Sequence, residues 1–363
     1  MRLQKLLFAS LLLTLPFLAQ AQKYSNEFLS IGVSARAQAM GNSVVAGVDD
    51  VYSTYWNPAG LSNISNDVGL QIGAMHSEWF AGVGKFDFIG IALPSANGKR
   101  RIGLSFTRFG VDNIPNTLQL YDAEGRINYD NVFEFSAADY AFLGSYAQKM
   151  NVKKGSLSIG GNVKVIRRVI GTFANAWGFG LDLGAQYKLN KLSLGLTARD
   201  VTSTFNAWKT NFSEEDKEVL IATGNDLPAK SSTEITKPSV ILGFGYRFDI
   251  GEKVTLNPEL NAHFTTDGQR NTLVSGDPIS IDPSMGLELG YNQFIFLRAG
   301  VNQFQKEKDF DNTESLIYRP SLGVGLKISS LVVDYAYTDV GDGQNKFSHV
   351  ISLKLSLKPK VRE

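Results

Sequence analysis

The sequence has no cysteine, only three histidines and almost no excess of charge, since 36 Lys and Arg face 35 Asp and Glu and the net charge is +1. The absence of cysteine excludes disulfides and a lipid-acylated cysteine. The balanced charge gives no electrostatic basis for binding DNA or RNA, so we expect no nucleic-acid partner. A mean hydropathy of −0.08 with 43% hydrophobic residues excludes both a disordered chain and a bundle of membrane helices.

Groups that carry out catalysis are scarce as well. His76, His263 and His349 fall on distant predicted strands, and no serine lies in a nucleophile-elbow motif. Two acidic stretches, 309–314 and 339–345, lack the spacing of an EF-hand loop. We therefore predict that the chain is not an enzyme and has no catalytic residue, no cofactor and no metal ligand.

The first 21 residues have the pattern of a secretory signal peptide. Arg2 and Lys5 precede an apolar run from Leu6 to Leu18, and Ala19-Gln20-Ala21 forms a small-x-small cleavage site. A membrane anchor is the alternative, but the apolar run is short for a membrane span. We predict an exported protein that begins at Gln22 after cleavage.

From Val68 onward the sequence consists of runs of about ten residues with alternating polarity, the length that a tilted strand needs to cross a bilayer. Within 174–189, for example, aromatic and aliphatic residues alternate with glycine and polar ones. Charges at strand centres, such as Lys164, Glu288 and Arg298, fall on the second face and fit only a polar lumen. The fourteen predicted strands are 67–76, 83–93, 100–110, 138–149, 155–169, 174–189, 191–201, 236–250, 252–265, 284–292, 294–302, 317–328, 330–338 and 346–357.

The connections between these strands alternate in length. Short turns, such as Asn190, Gly251 and Ser329, follow every second strand, whereas most of the other connections are long. An even number of strands with this asymmetry is typical of bacterial outer-membrane barrels, which have short periplasmic turns and long extracellular loops. A soluble β-sandwich is the alternative, but it has no reason to collect its longest loops at one end. We predict an all-β, 14-stranded antiparallel transmembrane β-barrel in the cell outer membrane, with both termini in the periplasm.

Residues 22–66 do not follow the strand pattern. They are rich in Gly, Ala and Ser, and a barrel of fourteen strands encloses more space than its own side chains fill. We therefore predict three parts: a signal peptide at 1–21, a periplasmic N-terminal tail and lumen plug at 22–66, and the barrel at 67–363. Apolar residues on both faces of the second strand, Phe86 and Phe88 on one and Ile89, Ile91 and Leu93 on the other, indicate that the plug or a ligand covers the inner face there.

A sequence motif lies within the predicted plug: ARAQAMG at 35–41, DD at 49–50 and YWNPAGL at 55–61. It resembles the N-terminal signature of the PorV/PorQ family of FadL-like outer-membrane barrels. The NPAGL turn is shared with FadL-type fatty-acid transporters, whereas the PorV signature proper ends in HWNPAK, so the resemblance is to a paralogue with a specialised partner. The motif residues are Ala35, Arg36, Met40, Gly41, Asp49, Asp50, Trp56, Asn57, Pro58, Ala59, Gly60 and Leu61.

The resemblance implies a Bacteroidota barrel of the type IX protein secretion machinery, in some cases linked to gliding motility. In that family PorV binds the C-terminal signal domain of secreted proteins and associates with the large translocon barrel. The partners expected on this hypothesis are outer-membrane lipid, the type IX translocon barrel and secreted cargo proteins. The alternatives are a FadL-like channel for uptake of hydrophobic small molecules and a structural scaffold without ligand.

Two long predicted connections, 111–137 and 202–235, contain aromatic residues on the side that should face outside. Exposed aromatic residues on long loops indicate a partner surface or a ligand mouth, unless the loops fold over the barrel and bury the rings. The candidate partner-binding residues are Tyr121, Phe133, Phe135, Phe205, Trp208 and Phe212.

Overall fold

The computed structural model describes residues 25–94, 98–121, 125–308, 313–339 and 347–359, so the predicted signal peptide lies outside the described residues. None of the helices in these ranges has the length and apolar character needed to cross a membrane. The helical stretches are Glu27–Ser30, Ala35–Ala39, Ser53–Trp56, Pro58–Asn63, Tyr129–Asn131 and Glu214–Ala222. The strands are β1 Gln71–Trp79, β2 Gly84–Pro94, β3 Arg100–Asn116, β4 Phe133–Asn151, β5 Ser156–Ile170, β6 Ala174–Leu189, β7 Leu192–Arg199, β8 Thr204–Thr210, β9 Ser231–Thr236, β10 Ser239–Tyr246, β11 Phe248–Ile250, β12 Val254–Thr265, β13 Ser280–Tyr291, β14 Ile295–Lys308, β15 Glu314–Ile328, β16 Leu331–Asp339 and β17 Phe347–Ser356.

The strands form one antiparallel sheet that closes on itself. From β1 to β7 and from β12 to β17 each strand pairs with the next one in sequence, and β1 also pairs with the last strand, β17. β6 pairs with β7 along its second half and with β8 along its first half, so β7 and β8 form one interrupted wall strand. β9 and β10 form another, and β11 prolongs β10 against β12. The wall therefore has fourteen strands, and the predicted all-β, 14-stranded antiparallel barrel is confirmed.

Polarity is distributed in the opposite sense to that of a soluble protein. On β6 the outward side chains Trp177, Phe179 and Leu183 are 49%, 61% and 54% exposed, whereas the inward Asp182 and Gln186 are buried. Outward apolar side chains with an inward polar face suit a barrel surrounded by hydrocarbon, because a soluble barrel would bury its apolar side chains.

The two ends of the barrel differ. At the end called here the turn end, the connections are short, as at 152–155, 190–191, 292–294 and 329–330. β1 also begins and β17 also ends there, since Gln71 pairs with Ser356. At the opposite loop end, 117–132, 211–230 and 266–279 are longer. The predicted asymmetry between the two ends is present in the described residues.

The wall reaches further at the loop end than the sequence pattern indicates. β3 continues to Asn116 and β4 begins at Phe133, so much of the predicted 111–137 loop is strand. The predicted 202–235 loop contains β8, β9 and a helix that starts with a capping box between Ser213 and Asp216. The alternation in these extensions is irregular because β-bulges shift the register, for example between Val111 and Ile114.

Candidate functional site: the inner segment and its contacts with the barrel wall

Residues 25–66, called the inner segment below, lie within the barrel although they belong to none of its strands. Val33, Ala35, Ala39, Val45 and Val51 have no exposed surface. Together with inward side chains of the wall, such residues make up the main apolar core. The small residues that distinguish this stretch in the sequence thus allow a compact body that fits between the walls.

Inward-facing glycines of the wall receive the backbone of the inner segment. A Cβ atom at Gly300 would lie 2.1 Å from the backbone nitrogen of Gly41, and one at Gly195 would lie 2.4 Å from the carbonyl oxygen of Val45. Contacts this close leave no room for any side chain. The sequence pattern indicates a polar, glycine-rich lumen face, and in the structure that face is a packing surface. Gly160, Gly243 and Gly286 also face the backbone of the inner segment, whereas Gly103 and Gly184 face its side chains.

The NPAGL turn is held by its own geometry and by the wall. Asn57 caps the Pro58–Asn63 helix by accepting a hydrogen bond from the Ala59 nitrogen at 3.2 Å. A Cβ at Gly60 would lie 2.3 Å from the carbonyl oxygen of Val48, and Leu61 has no exposed surface. Pro58 and Ala59 fill the space left by Gly160 on β5. Each residue of the turn is therefore restricted by a specific neighbour.

Two polar side chains of the inner segment reach carbonyl groups of the wall. The Asn57 amide nitrogen lies 3.1 Å from the carbonyl oxygen of Ala185 and 3.3 Å from that of Leu196, which are paired residues of β6 and β7. The Tyr52 hydroxyl lies 3.0 Å from the carbonyl oxygen of Ala74 and 2.8 Å from that of Leu353. Ala74 and Leu353 are partners in β1 and β17, so Tyr52 contacts the junction where the barrel closes.

Charged side chains form a continuous line from the inner segment into the wall. Arg36 contacts Glu288 at 2.8 Å, Glu288 contacts Arg298 at 2.7 Å, and Arg298 contacts Asp334 at 2.7 Å. Both wall carboxylates and Arg298 are almost fully buried. Buried charges require such pairing, because an unpaired ion in the interior is strongly destabilising.

The two adjacent aspartates of the motif have different environments. Asp50 contacts Lys354 at 2.7 Å with only 5% of its side chain exposed. Asp49 contacts Lys188 at 3.3 Å, but 49% of its side chain is exposed. Since exposed ion pairs contribute little, Asp50 is the one that holds the inner segment.

The remaining motif residues also have defined contacts. The Trp56 indole nitrogen donates to the carbonyl oxygen of Val33 at 2.8 Å, and the Ala35 nitrogen donates to the Ser352 hydroxyl at 3.0 Å. The Met40 backbone lies against the wall at Gly286. Sequence reasoning did not single out Tyr52 or Lys354. Lys354 did carry a signal, because it is a charged residue on the face of its strand opposite the apolar one.

The apolar inner face of β2 is covered by the inner segment. The rings of Phe88 and Tyr52 are 5.3 Å apart, and a Cβ at Gly90 would lie 3.1 Å from Val51. The sequence left two explanations open for this face, a plug or a ligand. The contacts of the described residues support the first, because the inner segment covers the face.

A small cavity of about 90 Å³ lies between the inner segment and the wall near the loop end. Its apolar lining includes Leu29, Tyr55 and Leu143. Its polar lining includes Lys164, which contacts Asp182 at 3.0 Å and Asp200 at 2.6 Å. The cavity thus joins an apolar side to a fully paired ionic cluster at the interruption between β7 and β8.

The six predicted partner-binding residues are divided between two environments, and four of them lie on strands rather than loops. Tyr121 is 63% exposed, and Phe133 on β4 and Phe205 on β8 are each 50% exposed. The other three pack: Phe135 and Phe212 lie 5.2 and 5.5 Å from the ring of Phe173, and Trp208 faces the Arg168 guanidinium at 5.1 Å. Prediction of loops failed here because β4 and β8 extend beyond the regular part of the wall.

The described residues contain no group of three or more Cys, His, Asp or Glu arranged to hold a metal ion. The two acidic stretches considered from the sequence, 309–314 and 339–345, lie mostly outside the described residues, which omit 309–312 and 340–345.

Comparison with known proteins shows the fold. No protein-family model and no curated protein matches the chain. The structure is similar to the CymD monoaromatic hydrocarbon channel, with a TM-score of 0.53 and 13% identity over 93% of this chain and 100% of that one. It is also similar to a Pseudomonas aeruginosa FadL homologue, with a TM-score of 0.51 and 13% identity over 90% and 98%. For the Pseudomonas putida toluene transporter TodX the TM-score is 0.51 at 13% identity over 89% and 96%.

Proposed function

From this FadL-like barrel fold, we propose that the protein is an outer-membrane channel that admits a hydrophobic small molecule when the inner segment moves. The observation that carries the proposal is the way the lumen is filled. The inner segment occupies it through hydrogen bonds, ion pairs and packing, with no covalent link to the wall besides the chain itself. Contacts of this kind can break and form again.

The membrane location in this proposal is supported by the outward apolar band. Outward side chains such as Leu242, Leu260 and Leu322 are 44%, 49% and 60% exposed, which would be unfavourable in water over the whole circumference of a barrel. In an outer membrane the short connections of the turn end would face the periplasm and the longer ones the outside. The end of β17 would then be periplasmic, whereas Ser25, the first described residue, contacts Glu234 and Asn206 toward the loop end.

The cavity at the loop end is the proposed first position of a ligand. An engineered cavity of about 150 Å³ is known to accept benzene. The cavity beside Tyr55 and Leu143 is about 90 Å³, so an aromatic ring fits only after the inner segment shifts. Similar solved barrels are described as a monoaromatic hydrocarbon channel and a toluene transporter, which makes toluene the first probe.

A reversible lock on the inner segment tests the proposal. The hydroxyl oxygens of Ser43 and Ser284 lie 2.8 Å apart, so a double variant Ser43→Cys and Ser284→Cys should form a disulfide. Because the chain has no other cysteine, no competing disulfide can form. We expect proteoliposomes with the oxidised variant to take up no labelled toluene above protein-free vesicles, and reduction to restore the uptake of the wild type. The single variant Ser43→Cys is the control, and equal uptake by the oxidised and reduced forms would contradict the proposal.

A second candidate function, a partner-binding barrel of type IX secretion, is favoured by the exposed aromatic residues at the loop end. Tyr121, Phe133 and Tyr129 are 63%, 50% and 75% exposed. Purification of the tagged protein in mild detergent, followed by mass spectrometry, distinguishes the two candidates. Secreted cargo or a large translocon barrel in the eluate would support this candidate. Small hydrophobic molecules alone, with secretion intact after gene deletion, would support the channel.

A further inference from the structure

The outer wall carries a groove that the proposed transport path does not use. It has a volume of about 560 Å³, within the usual range of about 300–1,000 Å³ for ligand sites. One side is formed by Tyr187, Leu194, Phe244 and Leu260, and the other by Ala185, Leu196, Leu242 and Ala262. These side chains belong to the outward face of β6, β7, β10 and β12.

The groove exists because the wall has no side chains along its floor. Gly195 and Gly243 are cross-strand partners, and both point inward against Val45 and Ala46 of the inner segment. Their backbone is therefore all that separates the groove from the inner segment. Ala185 and Ala262 stand at the two ends of one row of lining side chains. Because both are small, that side of the groove is shallow at its ends.

A cationic and aromatic border lies below the groove at the turn end. The Tyr187 hydroxyl donates to the carbonyl oxygen of Lys154 at 2.9 Å, which places the 152–155 turn beside the groove. Lys191, which contacts Asp249 at 3.1 Å, precedes Leu194 by three residues, roughly 10 Å along an extended strand. The rings of Tyr246 and Phe248 lie 4.7 Å apart at the same level. Aromatic rings with basic side chains are typical of the level of lipid headgroups.

We propose that this groove binds a phospholipid, with one acyl chain along the glycine floor and the phosphate near Lys154 and Lys191. The proposal rests on the membrane location in the proposed function but not on transport. A groove lined almost entirely by apolar side chains and opening onto hydrocarbon accepts an acyl chain, and the border supplies charge complementary to a phosphate. The occupant is thus a lipid of the leaflet at the turn end.

Native mass spectrometry of the delipidated full-length protein with added phosphatidylglycerol tests this proposal. The double variant Ala185→Phe and Ala262→Phe fills the groove from outside and keeps the Ala185 backbone carbonyl that accepts from Asn57. We expect it to bind the first lipid roughly tenfold more weakly, the effect of losing the burial of about two CH₂ groups. Lys154→Gln should weaken binding about fivefold, and less at high salt. Lys191→Gln should have a smaller effect, because Asp249 already partly neutralises Lys191.

Ala299→Phe, on the outward face of β14, is the matched control and should bind as the wild type does. Equal affinity in the groove variants and the wild type would overturn the proposal, as would equal loss in the control. A protein subunit whose binding is lost on filling the groove would overturn it in favour of a docking surface. Absence of any lipid binding by the wild type would also overturn the proposal, whereas toluene uptake by the same protein in proteoliposomes would show that the proposed function still holds.

Discussion

Neutralising Asp50 should release the inner segment, whereas neutralising its neighbour Asp49 should not. The change from Asp50 to Asn removes the charge but keeps an oxygen that can accept from the Tyr52 nitrogen, as Asp50 does at 3.0 Å. Lys354 would then be left in a mostly buried position without its carboxylate. Breaking a buried pair costs about 3–5 kcal/mol, and the lower value applies because Lys354 retains 19% exposure.

This cost applies only to the closed state, in which the inner segment fills the lumen. Once the inner segment moves away, Lys354 would reach water. A loss of about 3 kcal/mol raises the population of the displaced state about a hundredfold. Asp49 has a half-exposed side chain, so Asp49→Asn should cost at most about 1 kcal/mol. The single-channel open probability in planar bilayers measures this difference.

Two outcomes of this experiment would refute the reasoning. One is a closed Asp50→Asn channel, and the other is an Asp49→Asn channel that opens as often. The double variant Asp50→Leu and Lys354→Met is the rescue, since replacing both partners of a buried pair by apolar residues is often neutral, and it should restore closure.

Four further changes test other contacts. Deleting residues 31–61 should make the barrel conduct ions in a planar bilayer, and unchanged conductance would contradict a blocking role of the inner segment. Gly300→Ala should lower thermal stability by about 1–3 kcal/mol through overpacking, whereas Gly144→Ala, with its nearest contact at 3.9 Å, should have no effect in the same unfolding assay. Lys164→Met should lower stability by about 3–5 kcal/mol, since two buried carboxylates lose their partner. Burial raises and the Arg270 guanidinium lowers the pKa of Asp267, and the net shift is downward. The stabilising contribution of the Asp267 carboxylate is therefore present above the unfolded pKa of about 3.9 and lost as the pH falls through the lower folded pKa. Hydrogen exchange of 266–279 should increase over that pH range in the wild type. In Asp267→Asn, which has no carboxylate to titrate, this increase should be absent.

The wall of this barrel could be predicted from the sequence because the central part of most strands alternates with a period of two. Side chains on β6 alternate without interruption, and the turns 152–155, 190–191, 292–294 and 329–330 at the turn end are only two to four residues long. The rim could not be predicted in the same way. β8 and β9 belong to wall strands that are interrupted by breaks in the alternation, and the aromatic residues of β8 were assigned to a loop for that reason.

The inner segment could be located by exclusion but its contacts could not be predicted. Small residues and the NPAGL turn indicate a compact body, and the charges of the wall indicate partners. Which of two adjacent aspartates is buried depends on where Lys354 lies, 304 residues away along the chain. The role of Gly300 could not be predicted either. A glycine in a strand can only be assigned to close packing once the backbone that faces it is known.

Tyr52 has a consequence for the order of assembly. Its hydroxyl lies between Ala74 and Leu353, whose pairing joins the two ends of the sheet. Because closing so long a chain segment costs more entropy than forming a hairpin, this junction is the last part of the wall expected to form. Tyr52 precedes β1 in the chain and is already tethered to it when β17 arrives. We therefore expect the final strand to dock onto a surface made partly by the inner segment, so that the lumen is already occupied when the wall closes.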